Sequence, residues 1–558
     1  MKKSFIVLLS SLVILTSCDF YVDKTKSPVD PNVFCLSSLP DIGDFSGNDK
    51  RDKFSDNVTD DFVPSDEYGK IVPFIGSYRV FETPNRKESD WHTEQGYASY
   101  GFMTTDGKTV MEPSDKNSYI SYQETDDGFG YYVVNREARQ RPDAPDEYIW
   151  GEILVIPIDG SWCISFGESS WVSGAGGGYI SVCEYPNNGV GEVSTHIYDY
   201  NGNLVKSFKG IDNVGTFSKG LMLISEWKSN EYSAGFINEK GEVVFGPYKS
   251  ASGFNKYGIT TVEDENGAYI MNADGEMLTD YYRSFFREYS ADMSKQVFAG
   301  RRLDDNKTSD VYNENGEYLG TVSGSTYFSF RFPDNGEIYA YHTIVNDDKY
   351  QTLSDKMMWK RLSDGTEFVS KEFGISANSY MGHDNCYIYL DSENGYGLFF
   401  DGDGNTIAEI DDICDVISVT QDNSFIVYFS GKYDYKYNED TGVTDITDTR
   451  ILHIYDVKQQ KNVYSNEKIK NAYMPYYSNK KNDRFVIMPI YLGNENDMFG
   501  GLSEYSVYDL EQNKLVFENL KQAQFFLIGK EVFINTCTAN TCTVYDDNFN
   551  VIRKSYYE

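Results

Sequence analysis

The chain has 558 residues, with 50 Lys+Arg against 86 Asp+Glu and a formal net charge of −36, and this length gives a prior of about three or four domains. That acidity argues against a nucleic-acid binder, which needs clustered Lys/Arg to displace counterions from phosphate. It does not mark a disordered chain either, because 16% of the residues are aromatic and acidic disordered chains are poor in them.

Residues 1–17 read as a basic start at Lys2 and Lys3, an apolar run from Phe5 to Leu15, and small polar residues. This is the pattern of an export signal, too short for a permanent span. It ends in Leu15-Thr16-Ser17-Cys18, which resembles the lipobox of bacterial lipoproteins. The resemblance implies cleavage before Cys18, lipidation of its thiol, and a mature protein held at a membrane without crossing it. The implied location is the cell envelope, as an outer-membrane lipoprotein facing the periplasm or the surface; Asp19 after the lipid-bearing Cys leaves inner-membrane retention open. Loss of Lys2 and Lys3 takes the formal charge from −36 to −38, so anionic lipid repels the body and the anchor must hold it. Residues 18–63 mix Asp, Ser, Pro, Gly and Lys with few spaced apolar residues and read as a flexible tether.

Seven cysteines remain beyond Cys18, an odd number. Cys537 and Cys542 flank a four-residue turn between strand-like runs, a spacing compatible with a hairpin disulfide in an exported protein, though two buried or semi-exposed thiols are slightly preferred.

From residue 64 onward a short unit recurs: two or three apolar residues, then Asp or Asn, a turn, and another apolar pair. Clear copies are Ile197-Tyr198-Asp199, Phe236-Ile237-Asn238, Ile270-Met271-Asn272 and Val311-Tyr312-Asn313. Anchoring each copy at one position gives 199, 238, 272, 313, 362, 401, 456, 509 and 546, spaced 34 to 55 residues apart. The runs are β-branched and aromatic, and Asn201-Gly202, Asp274-Gly275 and Asn315-Gly316 supply tight hairpin turns. The repeat is therefore a β-hairpin unit.

The segment Gly235-Phe236-Ile237-Asn238-Glu239-Lys240-Gly241-Glu242-Val243-Val244, followed by Gly246-Pro247-Tyr248, resembles one unit of the WG (KWG-type) repeats of bacterial extracytoplasmic proteins. Phe217–Ile224 and Gly101–Met111 are similar to further pieces of such a repeat. The resemblance implies a repeated β architecture with a binding or scaffold role, and no agreed reaction. From about residue 410 the units lengthen and read as propeller blades, with three strands of each in order. The fold expected is all-β: repeated hairpins forming a β-propeller-like body over 191–558. Nine units, or eleven with candidates near 104 and 157, exceed the usual 4–8 blades. Either units share blades, or an N-terminal β region over 64–190, with degenerate repeats, stands apart; the second is preferred.

Enzyme motifs are absent: there is no G-x-S-x-G, H-E-x-x-H, P-loop or G-x-G-x-x-G. Of the five histidines, none lies at metal-ligand spacing from another, and His453 within Ile451–Tyr455 reads as structural. Asp401, Asp403 and Asn405 occupy positions 1, 3 and 5 of an EF-hand-like calcium loop with Asp412 at position 12, but Thr406 stands where that loop needs Gly. Because sister units carry a hairpin turn there, the turn reading is preferred to calcium, and no other cofactor is called for. Gly174–Gly178 reads as a flexible loop rather than an anion nest. The function expected is a membrane-anchored binding platform for a protein or glycan partner, with a hydrolase using carboxylates at the propeller mouth as the alternative.

Overall fold

The computed structural model describes most of residues 62–557; residues 1–61 and internal stretches such as 83–93, 185–192, 346–353, 370–377 and 492–502 lie outside the described part. Every regular element in it is a β-strand. The strands form eleven antiparallel blades in chain order, arranged as a β-propeller. Blades 1 to 11 cover residues 71–114, 117–166, 170–209, 213–248, 250–282, 284–323, 329–369, 378–411, 415–466, 473–520 and 522–556.

Each blade is a meander, and in the four-stranded blades the first strand lies innermost; blade 1 has three described strands, the turn between its last two standing where the others have their third-to-fourth turn. The two middle strands are buried on both faces: Gln296–Arg301 is buried at five of its six positions, as is Thr308–Asn313. Neighbouring blades cover both faces, so burial in these strands is continuous rather than alternating, and it takes in polar residues such as Ser309 and Asp310 as well as apolar ones. The outermost strand loses one neighbour; Val243–Tyr248 has no buried residue.

All nine anchor positions and the candidate near 157 fall one per blade at the end of the third strand, and the candidate near 104 ends the second of the three strands described in blade 1. No unit shares a blade. The division expected near residue 190 falls inside blade 3, where Ser170–Gly176, Tyr179–Glu184, Ser194–Asp199 and Leu204–Lys209 form one sheet. The physical reason is that burial between blades needs apolar middle strands rather than a preserved turn sequence, so degenerate units still make blades. Phe62, assigned to the tether, is fully buried in the same cluster as Tyr132 of blade 2 and Phe526 of blade 11.

Among the described residues the ring closes between blades 1 and 11 without exchange of a strand, the strands of each being consecutive in the chain. Side chains make the seam. Asn535 accepts the Ile75 N–H at 3.1 Å. Arg553 donates to the Gly107 carbonyl and Thr109 Oγ1 and lies 4.2 Å from the Phe74 ring centroid.

Gly174–Gly178 is not a free loop: it covers the innermost strand of blade 3 and its turn. A Cβ at Gly174 would come within 3.0 Å of the Gly215 backbone in blade 4, and one at Gly177 (φ +62°) within 2.4 Å of the Phe217 carbonyl oxygen. Glycine is needed there because two inner strands approach backbone to backbone.

Candidate functional site: two unlike faces of the ring

In a meander, the first-to-second and third-to-fourth turns share one face, and the remaining connections share the other. Third-to-fourth turns are uniform, at four to six residues throughout. Six of them use one device. Asp199 Oδ1 accepts the Asn203 N–H at 2.7 Å while Asn203 Nδ2 donates to Asp199 Oδ2 at 2.9 Å. Asp401 with Asn405 and Asp546 with Asn550 repeat it. Asn238 with Glu242, Asn272 with Glu276 and Asn313 with Glu317 reverse the chemistry: Asn accepts the backbone N–H and donates its amide to the Glu carboxylate. An acceptor at the first position is matched by a donor four residues on, and the reverse.

This places the calcium candidates. Both Asp401 carboxylate oxygens accept hydrogen bonds from Asn405, as in the sister turns, so a cation would have to displace them. Asp403 lies outside the described residues, and Asp412 follows the outer strand Thr406–Asp411 with φ +59°. Among the described residues no group of three or more His, Cys, Asp or Glu is arranged to hold a metal ion. Cys18 also lies outside the described residues. Cys537 and Cys542 are joined by a disulfide across directly paired strands of blade 11.

Second-to-third connections are anything but uniform, running from two residues after Lys228 to twenty between Ser430 and Ile451. One long connection, between Tyr473 and Phe485, lies on the turn face and carries the short ribbon Tyr476–Tyr477 with Lys480–Lys481; most of the others between blade strands lie on this loop face. Two on the loop face carry ribbons of their own: Arg139–Arg141 with Ala144–Ile149, and Tyr433–Asn438 with Val443–Asp448. The second ribbon is clamped at its base. The Arg450 guanidinium lies 4.9 Å from the Phe429 centroid and 4.8 Å from Tyr433, and pairs in bidentate fashion with Asp448 at 2.9 and 2.7 Å. Lys470 Nζ donates to the Arg450 carbonyl. Burial alone would raise the Asp448 pKa, but the Arg450 hydrogen bonds and charge outweigh it and the net direction is down. The first ribbon is rooted by buried Arg136, which pairs with Glu152 at 3.3 Å and donates to Asn117 Oδ1 at 3.1 Å.

Chain entry lies on the opposite face. The Ser65 N–H donates to the carbonyl of Gly160, in a third-to-fourth turn, and Lys70 pairs with Glu531 at the turn preceding the second strand of blade 11.

A polar ladder missed by sequence reasoning crosses blades 3, 6 and 9 at one register. In blade 3, His196 Nδ1 bonds Ser207 Oγ at 2.8 Å, and its Nε2 lies 3.4 Å from Glu184 Oε2. In blade 9, His453 bonds Ser465 at 2.7 Å and Ser430 at 2.8 Å; burial lowers the His453 pKa, with the Asp412 charge opposing. In blade 6, Asp310 accepts from Thr321 at 2.6 Å, from Tyr282 at 3.0 Å and from Arg302 at 2.8 and 2.9 Å. The Ser207–His196–Glu184 line has the composition of a hydrolytic triad. Its recurrence with Asp310 in the histidine's place identifies it as a cross-strand brace, in keeping with the structural reading of His453. The one available signal was a His or Asp three residues before the anchors 199, 313 and 456, where the sister units carry Gly, Tyr, Trp, Leu, Ser or Thr.

No protein-family profile matches the chain, and no curated protein matches it. Solved structures similar to it include a eukaryotic initiation factor (TM-score 0.37, 9% identity, 72% of this chain and 94% of that one). A Myceliophteria thermophila Cps50 (Swd1) β-propeller domain gives TM-score 0.22 at 11% identity, covering 50% of this chain and 87% of that one. Porphyromonas gingivalis dipeptidyl peptidase 4 gives 0.30 at 12% identity, covering 64% and 62%. At such identities the likeness concerns the fold and not the activity.

Proposed function

We propose that the chain is a lipid-anchored binding platform of the bacterial cell envelope, related to WG-repeat lipoproteins, that presents its loop face to a protein or glycan partner. The observation that carries this reading is the division of labour between the faces. One face repeats its third-to-fourth turn geometry from blade to blade and receives the N-terminal chain; the other bears most of the long, unlike connections, where binding residues are usually placed on a rigid scaffold. A chain tethered through Cys18 and entering on the turn face would hold the loop face away from the membrane, at the outer membrane in this proposal. The rival reading, a hydrolase with carboxylates at the propeller mouth, needs two acids about 5–10 Å apart. The described inner-strand acids, Glu124, Glu288 and Asp415, lie on blades 2, 6 and 9, no two of which are neighbours.

The test is affinity capture from solubilised envelopes with the full chain, a Cys18→Ala form, and forms in which residues 138–150 or 434–447 are replaced by a short Gly-Ser turn. The platform reading expects one identified protein or glycan with the full chain, its loss with a shortened connection, and release of the Cys18→Ala form from the membrane fraction. Retention of the same partner by both shortened forms would overturn it.

A further inference from the structure

We infer that the outer rim of blades 3 to 6, at its turn-face end, binds a segment of a partner protein that carries apolar side chains flanked by Lys or Arg. The two residues after each third-to-fourth turn open the fourth-strand position. On four consecutive blades both are apolar: Leu204-Val205, Val243-Val244, Met277-Leu278 and Tyr318-Leu319. Leu319 is half-buried, and the other seven are 37–58% exposed. On blades 1 and 7 to 10 the first of the pair is Thr109, Glu367, Thr406, Lys461 or Lys514, as solvent exposure favours. Blade 11 carries Val551-Ile552, but Ile552 lies against Gly107 across the seam. A single exposed apolar residue is ordinary, whereas a run of them marks a surface that something covers.

The run is continuous from blade 4 to blade 6. A Cβ on Gly275, in the turn of blade 5, would come within 2.5 Å of the Phe245 ring of blade 4. One on Gly316, in the turn of blade 6, would come within 3.0 Å of Leu278 Cδ1. Side chains of one blade thus bridge to the turn of the next. The apolar side chains left open on the four blades amount to on the order of 500 Å², at the upper end of what a monomer exposes.

Charge decides between the occupants. Residues 238–242, 272–276 and 313–317, the turns beside the apolar pairs of blades 4 to 6, hold six acids against one base, Lys240. Glu242, Glu276 and Glu317 each accept from the facing Asn amide at 2.7 to 2.9 Å. That bond fixes the carboxylate through one oxygen and leaves the other without a partner among the described residues. A second copy of this chain would bring another body of formal charge −36 against these acids, and an anionic lipid surface would be repelled in the same way. A segment with Lys or Arg beside its apolar side chains satisfies both features, the acids setting its register and the apolar strip supplying the dry centre of the contact.

The test is photo-cross-linking in intact cells that produce the full chain, with p-benzoylphenylalanine in place of Val244, Leu278 or Tyr318, and in place of Val551 as the control. Mass spectrometry then identifies the cross-linked peptide. The expected result is one partner protein, joined through a peptide that is basic and carries apolar residues, from all three rim positions and not from position 551. Asp274→Lys/Glu314→Lys, which leaves the Asn–Glu turn braces intact, is expected to lower the yield at position 278 at least fivefold. Val243→Ser/Val244→Ser is expected to lower it likewise, and gives a second reading should the charge variant fail to fold. Adducts with lipid, with a second copy, with residues 19–61 of the same chain or with an acidic peptide would each overturn the inference. So would no adduct at all, or a yield that neither variant changes. The connections 138–150 and 434–447 take no part in these readouts, so this inference and the loop-face reading stand or fall separately.

Discussion

Among the described residues, side chains rather than an exchanged strand join blades 1 and 11, and Asn535 is the sharpest place to test that. It is 1% exposed, accepts the Ile75 N–H at 3.1 Å and donates to the Pro73 carbonyl at 3.5 Å. The ladder between the first two described strands shifts register between Ile75 and Ser77, and the Ile75 N–H turns to Asn535. Asn535→Ala would leave a buried donor unsatisfied, at about 1–3 kcal/mol, and open a small cavity, so about 3 kcal/mol in total is expected. Asn535→Asp keeps the acceptor but buries a charge with no cation placed against it, and a comparable loss is expected at neutral pH. The assay is urea unfolding together with hydrogen exchange read peptide by peptide. Because the seam is local, protection should fall in blades 1 and 11 first, with blades 5 to 7 unchanged. A loss under about 0.5 kcal/mol, or exchange that rises evenly around the ring, would refute the idea that the seam is held this way.

In the turns, Asn272→Asp faces Glu276 with a second carboxylate and should cost about 0.5–1 kcal/mol at pH 7, recovered in the Asn272→Asp/Glu276→Asn double variant by thermal unfolding. For Asp310, burial opposes ionisation, but the hydrogen bonds from Arg302, Thr321 and Tyr282 outweigh it and hold the carboxyl below its usual range. A depressed folded-state pKa contributes stability above the unfolded value of about 3.9 that is lost as pH falls through the folded value. Asp310→Asn should therefore destabilise by about 2 kcal/mol at pH 7, with the difference from wild type narrowing below about pH 4 in pH-dependent denaturation. The disulfide Cys537–Cys542 closes a short loop, so replacing both residues by Ala should cost about 2 kcal/mol by loop entropy, read as a lower urea midpoint. No change in midpoint would show that buried packing alone holds that hairpin.

Much of the architecture was legible because its signals are local. Asn272-Ala273-Asp274-Gly275 marks a tight turn by its residues alone, and the apolar pairs beside it mark strands. The nine anchors therefore gave nine blades, and the weak copies near 104 and 157 gave two more. The split near residue 190 and the loop reading of Gly174–Gly178 went astray for one reason: both judged the chain by its own stretch of sequence. In Gly174–Gly178 the glycines answer to Gly215 and Phe217 of the next blade, and no local pattern reports a neighbour about forty residues on. The turn residues at Asp401 resembled a calcium loop because oxygen spacing is all that a sequence displays. Which partner those oxygens take, the Asn405 amide groups, is a matter of turn geometry.

By itself, then, the sequence determined the all-β class, the repeat and its period, the third-strand anchors, and the lipobox resemblance at Cys18, since each is written in contiguous residues. Tertiary structure alone decided that eleven units form one ring, that blades 1 and 11 meet through Asn535 and Arg553, and that the brace residues His196, Asp310 and His453 share a register. It alone sorted uniform turns and most long connections onto opposite faces. These are relations between residues tens to hundreds of positions apart, fixed by how sheets pack face to face, and packing is decided by the surfaces that meet rather than by the segment that carries them.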